Sequence, residues 1–170
     1  MKSSITYPAE DVVLGILEIG NGREAEKQGE RELLKQMLGY DVVLNHNEDG
    51  KPLIEGYNIS ISHTKGFVAI LLSKGLEVGI DIEYHSDRIQ KIAQRFLRSD
   101  ETYTTTSDLL IAWCAKEAAY KLFSEEHLTY QEMKVNVSKN QLINLKTTVT
   151  INFVPLIHSE YVIVMCWANK

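Results

Sequence analysis

The period of the apolar residues changes along the chain in the order strand, helix, strands, helices, strands. Val12 to Ile19 is mostly apolar and predicts a strand, ended by Gly20-Asn21-Gly22. Arg23 to Leu38 predicts a helix. Its first half is polar, Leu33, Leu34, Met37 and Leu38 form an apolar stripe, and Gly39 closes it in the left-handed conformation. Asn47-Glu48-Asp49-Gly50 predicts a turn, with Lys51-Pro52 leading out of it. Asn58–Ser62, Phe67–Leu72 and Glu77–Glu83 predict a small antiparallel meander, with Ile59 and Ile61 on one face and Ser60 and Ser62 on the other. Helical spacing returns in Arg88–Leu97, through Ile89, Ile92, Ala93, Phe96 and Leu97. A polar loop, Thr102 to Ser107, precedes a helix over Asp108–Phe123, with Thr106 or Ser107 as its cap. The tail alternates as strands Met133–Val137, Gln141–Leu145, Val149–Val154 and Tyr161–Trp167. This order predicts an α+β fold of antiparallel sheets with packed helices, not a doubly wound sheet. Strand, helix and strands recur in each half, without a residue-by-residue repeat.

A chain of 170 residues predicts one compact unit, or two small lobes sharing a core. With 44% hydrophobic and 24% charged residues, it falls in the range of soluble globular proteins and outside that of disordered chains. The longest apolar run, Tyr161 to Ala168, is too short to cross a bilayer, so no membrane partner is expected. No apolar signal segment follows Lys2, which predicts a cytoplasmic protein. Cys114 and Cys166 form neither a disulfide framework nor a zinc motif, and read as reduced interior thiols. A net charge of −5 argues against a nucleic-acid partner. The charge is uneven: residues 1–85 hold 8 Lys and Arg against 14 Asp and Glu, and residues 86–170 hold 10 against 9. A basic stripe of Arg88, Lys91, Arg95 and Arg98 in the second half suits an acidic partner.

Three segments carry chemistry. In Val78-Gly79-Ile80-Asp81-Ile82-Glu83, alternation puts Asp81 and Glu83 on one strand face. Paired carboxylates repel unless a cation or basic group lies between them, and hard oxygen ligands suit Mg²⁺. Gly79 leaves room for a ligand or another backbone. The bland alternative is a solvent-facing acidic strand. In Trp113-Cys114-Ala115-Lys116-Glu117-Ala118-Ala119-Tyr120-Lys121, Glu117 and Lys121 share a helix face flanked by Trp113 and Tyr120, with Lys116 about a quarter-turn round. The alternative there is an exposed ion pair worth about 0.3–0.5 kcal/mol. Ser62-His63-Thr64-Lys65-Gly66 offers hydroxyls, an imidazole and a lysine to a phosphate, or else is a polar turn. The nucleophile-elbow, Rossmann and P-loop fingerprints are absent.

Together these segments resemble the 4′-phosphopantetheinyl transferases, and most closely the surfactin-synthetase-activating (Sfp-like) type. Gly79-Ile80-Asp81-Ile82-Glu83 and the Trp113–Lys121 segment carry the likeness. Gly50-Lys51-Pro52, Ile59-Ser60-Ile61-Ser62-His63 and Arg31-Glu32-Leu33-Leu34 add to it. The resemblance implies two similar lobes forming a pseudo-dimer within one monomeric chain, 1–85 and 86–170, with the active site between them. It implies transfer of phosphopantetheine from coenzyme A to a serine of an acyl or peptidyl carrier protein, releasing adenosine 3′,5′-bisphosphate. Asp81, Glu83 and Glu117 would hold Mg²⁺ (or Mn²⁺), with Glu117 also taking the serine proton and Lys121 serving the leaving phosphate. Arg31, Lys51 and His63 would contact the 3′-phosphate and adenine end of coenzyme A, with Ser62 and Lys116 nearby. The basic stripe would steer the acidic carrier protein. Cys114 departs from the family's usual Ser or Thr, Thr64-Lys65 replaces a common small polar pair, and Glu24, Glu26, Glu30 and Glu32 surround Arg31. The rival expectations are a non-catalytic CoA- or carrier-binding scaffold on the same fold, and a metal-dependent phosphohydrolase.

Overall fold

The computed structural model describes residues 2–170. Its strands are β1 (Ser3–Ala9), β2 (Val12–Glu18), β3 (Asn45–His46), β4 (Pro52–Leu53), β5 (Asn58–Thr64), β6 (Phe67–Ser73), β7 (Glu77–Tyr84), β8 (Met133–Asn136), β9 (Gln141–Asn144), β10 (Val149–Ile157) and β11 (Tyr161–Ala168). The helices are α1 (Arg23–Leu38), α2 (Arg88–Phe96) and α3 (Thr106–Leu122), with 3-10 turns at Ser124–Glu126 and Tyr130–Glu132. Two antiparallel sheets dominate, in the orders β1-β2-β6-β5 and β7-β11-β10-β9-β8.

Side-chain alternation explains the layering. On β6, Val68, Ile70 and Leu72 pack with Leu33 and Leu34 of α1, while Ala69 and Leu71 point the other way. There they meet Val78, Ile80 and Ile82 of β7 and Ile163 and Met165 of β11, so the sheets share a middle core. The far face of the second sheet, through Val162, Val164 and Cys166, packs against α2 and α3. The order of layers is therefore α1, sheet, sheet, then α2 with α3.

The two sheets also meet edge to edge, where β5 lies beside β7. No backbone ladder joins these strands. Instead the Ser60, Ser62 and Thr64 hydroxyls accept the N–H groups of Ile80, Ile82 and Tyr84 at 3.1, 3.1 and 3.2 Å. The constant offset of 20 residues makes the strands parallel. One expectation is corrected here. β7 is no third strand of a meander: it pairs with β11 from Glu77–Ala168 to Tyr84–Tyr161. The two sheets part in the turn around Lys74-Gly75-Leu76, between β6 and β7.

Helix α1 ends as expected on Gly39, at φ 84°, whose N–H bonds Lys35 O. The cap of α3 is Thr105, one residue before the expected candidates, and its hydroxyl accepts the Asp108 N–H. Helix α2 stops at Phe96, so Arg98 lies beyond it, and its guanidinium bonds Asp100 and Gln131 O. That removes Arg98 from the basic helical stripe and leaves Arg88, Lys91 and Arg95. Both cysteines are buried and free, and no described helix is long and apolar enough to span a membrane.

Candidate active site

The site forms where the β5–β7 seam passes under α3. Strand β7 turns Val78, Ile80 and Ile82 into the middle core, which forces Gly79, Asp81 and Glu83 toward the helix side. Gly79 is what lets α3 approach: a Cβ there would lie 2.1 Å from Ala118 O. Of the two visitors that Gly79 admits in principle, the structure has the backbone.

Asp81 is 5% exposed. Its Oδ1 accepts the Ser62 hydroxyl at 3.0 Å, while its Oδ2 is buried with no hydrogen-bond partner. Lys121 Nζ lies 3.6 Å from Oδ1 and donates to Ile80 O at 2.8 Å and Ile61 O at 3.1 Å. One ammonium thus reaches a carbonyl from each sheet. Burial raises the Asp81 carboxyl to about 7 against the pull of Lys121, and repulsion from Glu83 and Glu117 adds to the rise. The Cys114 thiol is fully buried, and burial, then the nearby Asp81 and Glu83 charges, raise its pKa well above the usual range.

The other two carboxylates border this pair. Glu83 accepts the Trp113 Nε1–H at 3.3 Å, and burial followed by Glu117 raises its pKa. Glu117 Oε1 accepts the Tyr130 hydroxyl at 2.8 Å, and burial together with Glu117 raises the Tyr130 pKa. All three carboxylates of the expected metal trio lie close enough to repel one another. Each carboxylate is held by a different partner, and no three His, Cys, Asp or Glu side chains among the described residues stand ready-made around a metal position. The donor chemistry nevertheless fits a hard divalent cation: an orphaned buried carboxylate oxygen and three mutually repelling acids call for positive charge.

The expected coenzyme contacts divide. Glu117, Lys121 and Lys51 line one cavity of about 260 Å³, with Tyr120, Ser60 and Ile61. Lys51 also pairs with Glu77 at 3.2 Å. Arg31 and His63 share a larger groove of about 590 Å³ with Arg23, Lys27 and His46, where Glu26 approaches His63 at 3.5 Å. Alternation along β5 explains the split: Ser62 points at Asp81, and His63 points away. Ser62 accordingly serves Asp81 and the seam.

Lys116 does not join the site. Its side chain is fully buried, and its ammonium donates to Glu101 Oε1 at 2.6 Å, Phe96 O at 2.7 Å and Tyr130 O at 3.1 Å. Those three bonds use all its donors and leave none for a ligand. Sequence reasoning missed Tyr130 and Glu101, which lie in irregular segments where no periodicity assigns a direction to a side chain.

A family model described as the 4′-phosphopantetheinyl transferase superfamily matches residues 77–166, from the start of β7 into β11. The matched stretch holds Asp81, Glu83, Glu117, Lys121 and Tyr130, and leaves Arg31, Lys51, Ser62 and His63 outside it. No curated protein matches the chain. Spanning more than half of its residues and both strands of the β7–β11 pair that supports the site, this match shows that the chain belongs to the 4′-phosphopantetheinyl transferase superfamily.

Proposed function

We propose that this protein transfers the 4′-phosphopantetheine group of coenzyme A to a serine hydroxyl of an apo-carrier protein of the acyl or peptidyl class. The serine oxygen forms a new bond to the pantetheine-side phosphorus, the pyrophosphate bond to that phosphorus breaks, and adenosine 3′,5′-bisphosphate leaves. The observation that carries this reading is the seam itself. A buried Asp81 with an orphaned oxygen, the Lys121 ammonium and the Glu117 carboxylate come together there within the segment that matches the family.

Asp81, Glu83 and Glu117 would hold a divalent cation, Mg²⁺ or Mn²⁺, which when bound neutralises charge on the pyrophosphate. Glu117 takes the serine proton as the new bond forms. Lys121, fixed by two carbonyls, keeps a positive charge beside the cavity where charge builds on the leaving phosphate. Arg31 and His63 receive the 3′-phosphate and adenine end in their groove, and Lys51 lines the neighbouring cavity. Ser62 orients Asp81. Arg88, Lys91 and Arg95 form a basic face for an acidic carrier.

We also assign the chain to the two-lobed, Sfp-like type, as a monomeric pseudo-dimer. The support is topological: β2-β6-β5 repeats as β7-β11-β10, each following the plan of strand, helix and hairpin. The lobes then divide near Gly75.

Incubating the protein with coenzyme A, Mg²⁺ and a panel of apo-carriers should give a phosphopantetheinyl adduct, detected by mass spectrometry. No adduct on any carrier would sink the proposal. The second reading is the non-catalytic coenzyme A- or carrier-binding scaffold on the same fold. Calorimetry showing tight coenzyme A binding indifferent to Mg²⁺ would support it.

A further inference from the structure

Tyr130 sits in a 3-10 turn that is fastened at several points. Lys116, buried on α3, donates to the Tyr130 carbonyl at 3.1 Å and to Glu101 Oε1 at 2.6 Å. Glu101 Oε2 in turn accepts the Val135 N–H at 2.7 Å, just past the turn. Gln131 donates to Leu97 O at 3.1 Å, and Arg98 donates to Gln131 O. Thr129 and Glu132 close a reciprocal capping box. The Tyr130 ring lies 5.5 Å from that of Trp113, which itself packs edge-on against Phe96 at 5.1 Å.

From this held turn, the Tyr130 hydroxyl donates to Glu117 Oε1 at 2.8 Å. A glutamate side chain has three rotatable bonds, and a carboxylate that must accept a proton in one direction gains from losing that freedom in advance. The phenol makes the two oxygens of Glu117 unequal: Oε1 is occupied, and Oε2 remains for other partners.

We propose that Tyr130 is a positioning residue for Glu117: its hydroxyl fixes the carboxylate that receives the substrate proton, and the buried Lys116–Glu101 pair anchors the turn that carries it. This rests on the transferase reading given above. It gives a purpose to Lys116, whose three donors are all taken up inside the protein.

Tyr130→Phe deletes the hydroxyl and keeps the ring. The expected result is a fall in kcat of about 10- to 100-fold, with KM for coenzyme A changed less than about threefold. Tm should stay within about 2 °C. In a Glu117→Gln background the same substitution should cost nothing further, because the residue it acts through is already disabled. Crystals of Tyr130→Phe should show the Glu117 carboxylate displaced or in several rotamers. An unmoved Glu117, or equal losses in both backgrounds, overturns the proposal. If the wild-type protein modifies no carrier, the transferase reading falls. The crystallographic comparison then decides the positioning role alone: displacement of Glu117 supports it, and an unmoved carboxylate rejects it.

Discussion

The Ser62 hydroxyl donates to Asp81 Oδ1 at 3.0 Å while accepting the Ile82 N–H at 3.1 Å. One small side chain both closes the seam between the sheets and holds the acid in the site. Ser62→Ala removes both bonds and leaves the Ile82 N–H and both Asp81 oxygens without a hydrogen-bonding hydroxyl. The expected loss is about 1–3 kcal/mol, the usual cost of leaving buried polar groups unsatisfied. Ser60→Ala, which loses only the bond to Ile80, should cost less. Urea unfolding of the two variants measures the difference, and equal losses would show that Asp81 gains nothing from Ser62.

Asp81 makes stability depend on pH. Its carboxyl is raised from 3.8 to about 7 by burial, with Lys121 opposing. The folded state therefore binds more protons than the unfolded state across that window. Stability is then highest below pH 3.8 as far as this group is concerned, and falls as pH rises toward about 7. A divalent cation competes with the proton for the same carboxylate, so Mg²⁺ should raise Tm at pH 8 and much less at pH 5. Asp81→Asn should flatten the pH slope and abolish the Mg²⁺ effect. Thermal unfolding in EDTA and in Mg²⁺ at both pH values tests this, and a wild-type Tm indifferent to Mg²⁺ at pH 8 would remove Asp81 from any cation site.

Local periodicity suffices for elements whose burial is one-sided. For α1, the predicted and observed bounds both run from Arg23 to Leu38, because Leu33 and Leu34 mark the buried face and Gly39 marks the stop. Strand β1 has no such signal: it is an edge strand exposed from Ser3 to Tyr7, so nothing selects alternation. Partner choice is harder still, because the pairing of β7 with β11 joins residues about eighty positions apart. Within the site, the strand period correctly sends Gly79, Asp81 and Glu83 to one face. What it cannot give is which neighbour each carboxylate finds, since Ser62, Trp113 and Tyr130 come from three separate segments.

Gly79 sets the distance between β7 and α3. A methyl group there would meet Ala118 O at 2.1 Å, Ala118 C at 3.0 Å and Leu122 N at 3.1 Å, all of them backbone atoms. A rotamer change cannot relieve such a clash, so the helix must move. Gly79→Ala should destabilise the protein by about 3 kcal/mol or more, the upper range for overpacking. Since Glu117 and Lys121 ride on α3, surviving folded protein should also lose activity. Circular-dichroism melting gives the first quantity, and a Tm within a degree of wild type would show that the helix yields at no cost.

Lys116 precedes Glu117 by one residue, and the helical turn between them separates their fates. Glu117 faces the cavity, whereas Lys116 reaches Glu101 with side-chain exposures of 0% and 1%. Burying two charges is costly, and removing one alone leaves the other uncompensated. Lys116→Met fills similar space without the charge and should cost about 3–5 kcal/mol. Adding Glu101→Gln should recover part of that loss, because the amide is neutral and its oxygen can still accept one of the N–H groups of Arg98 and Val135 that Glu101 serves. Two independent polar contacts would give additive losses instead, so the double-mutant cycle, read from denaturant unfolding, separates the cases. An additive result would mean that Lys116 and Glu101 stabilise the Tyr130 turn separately, not as one ion pair.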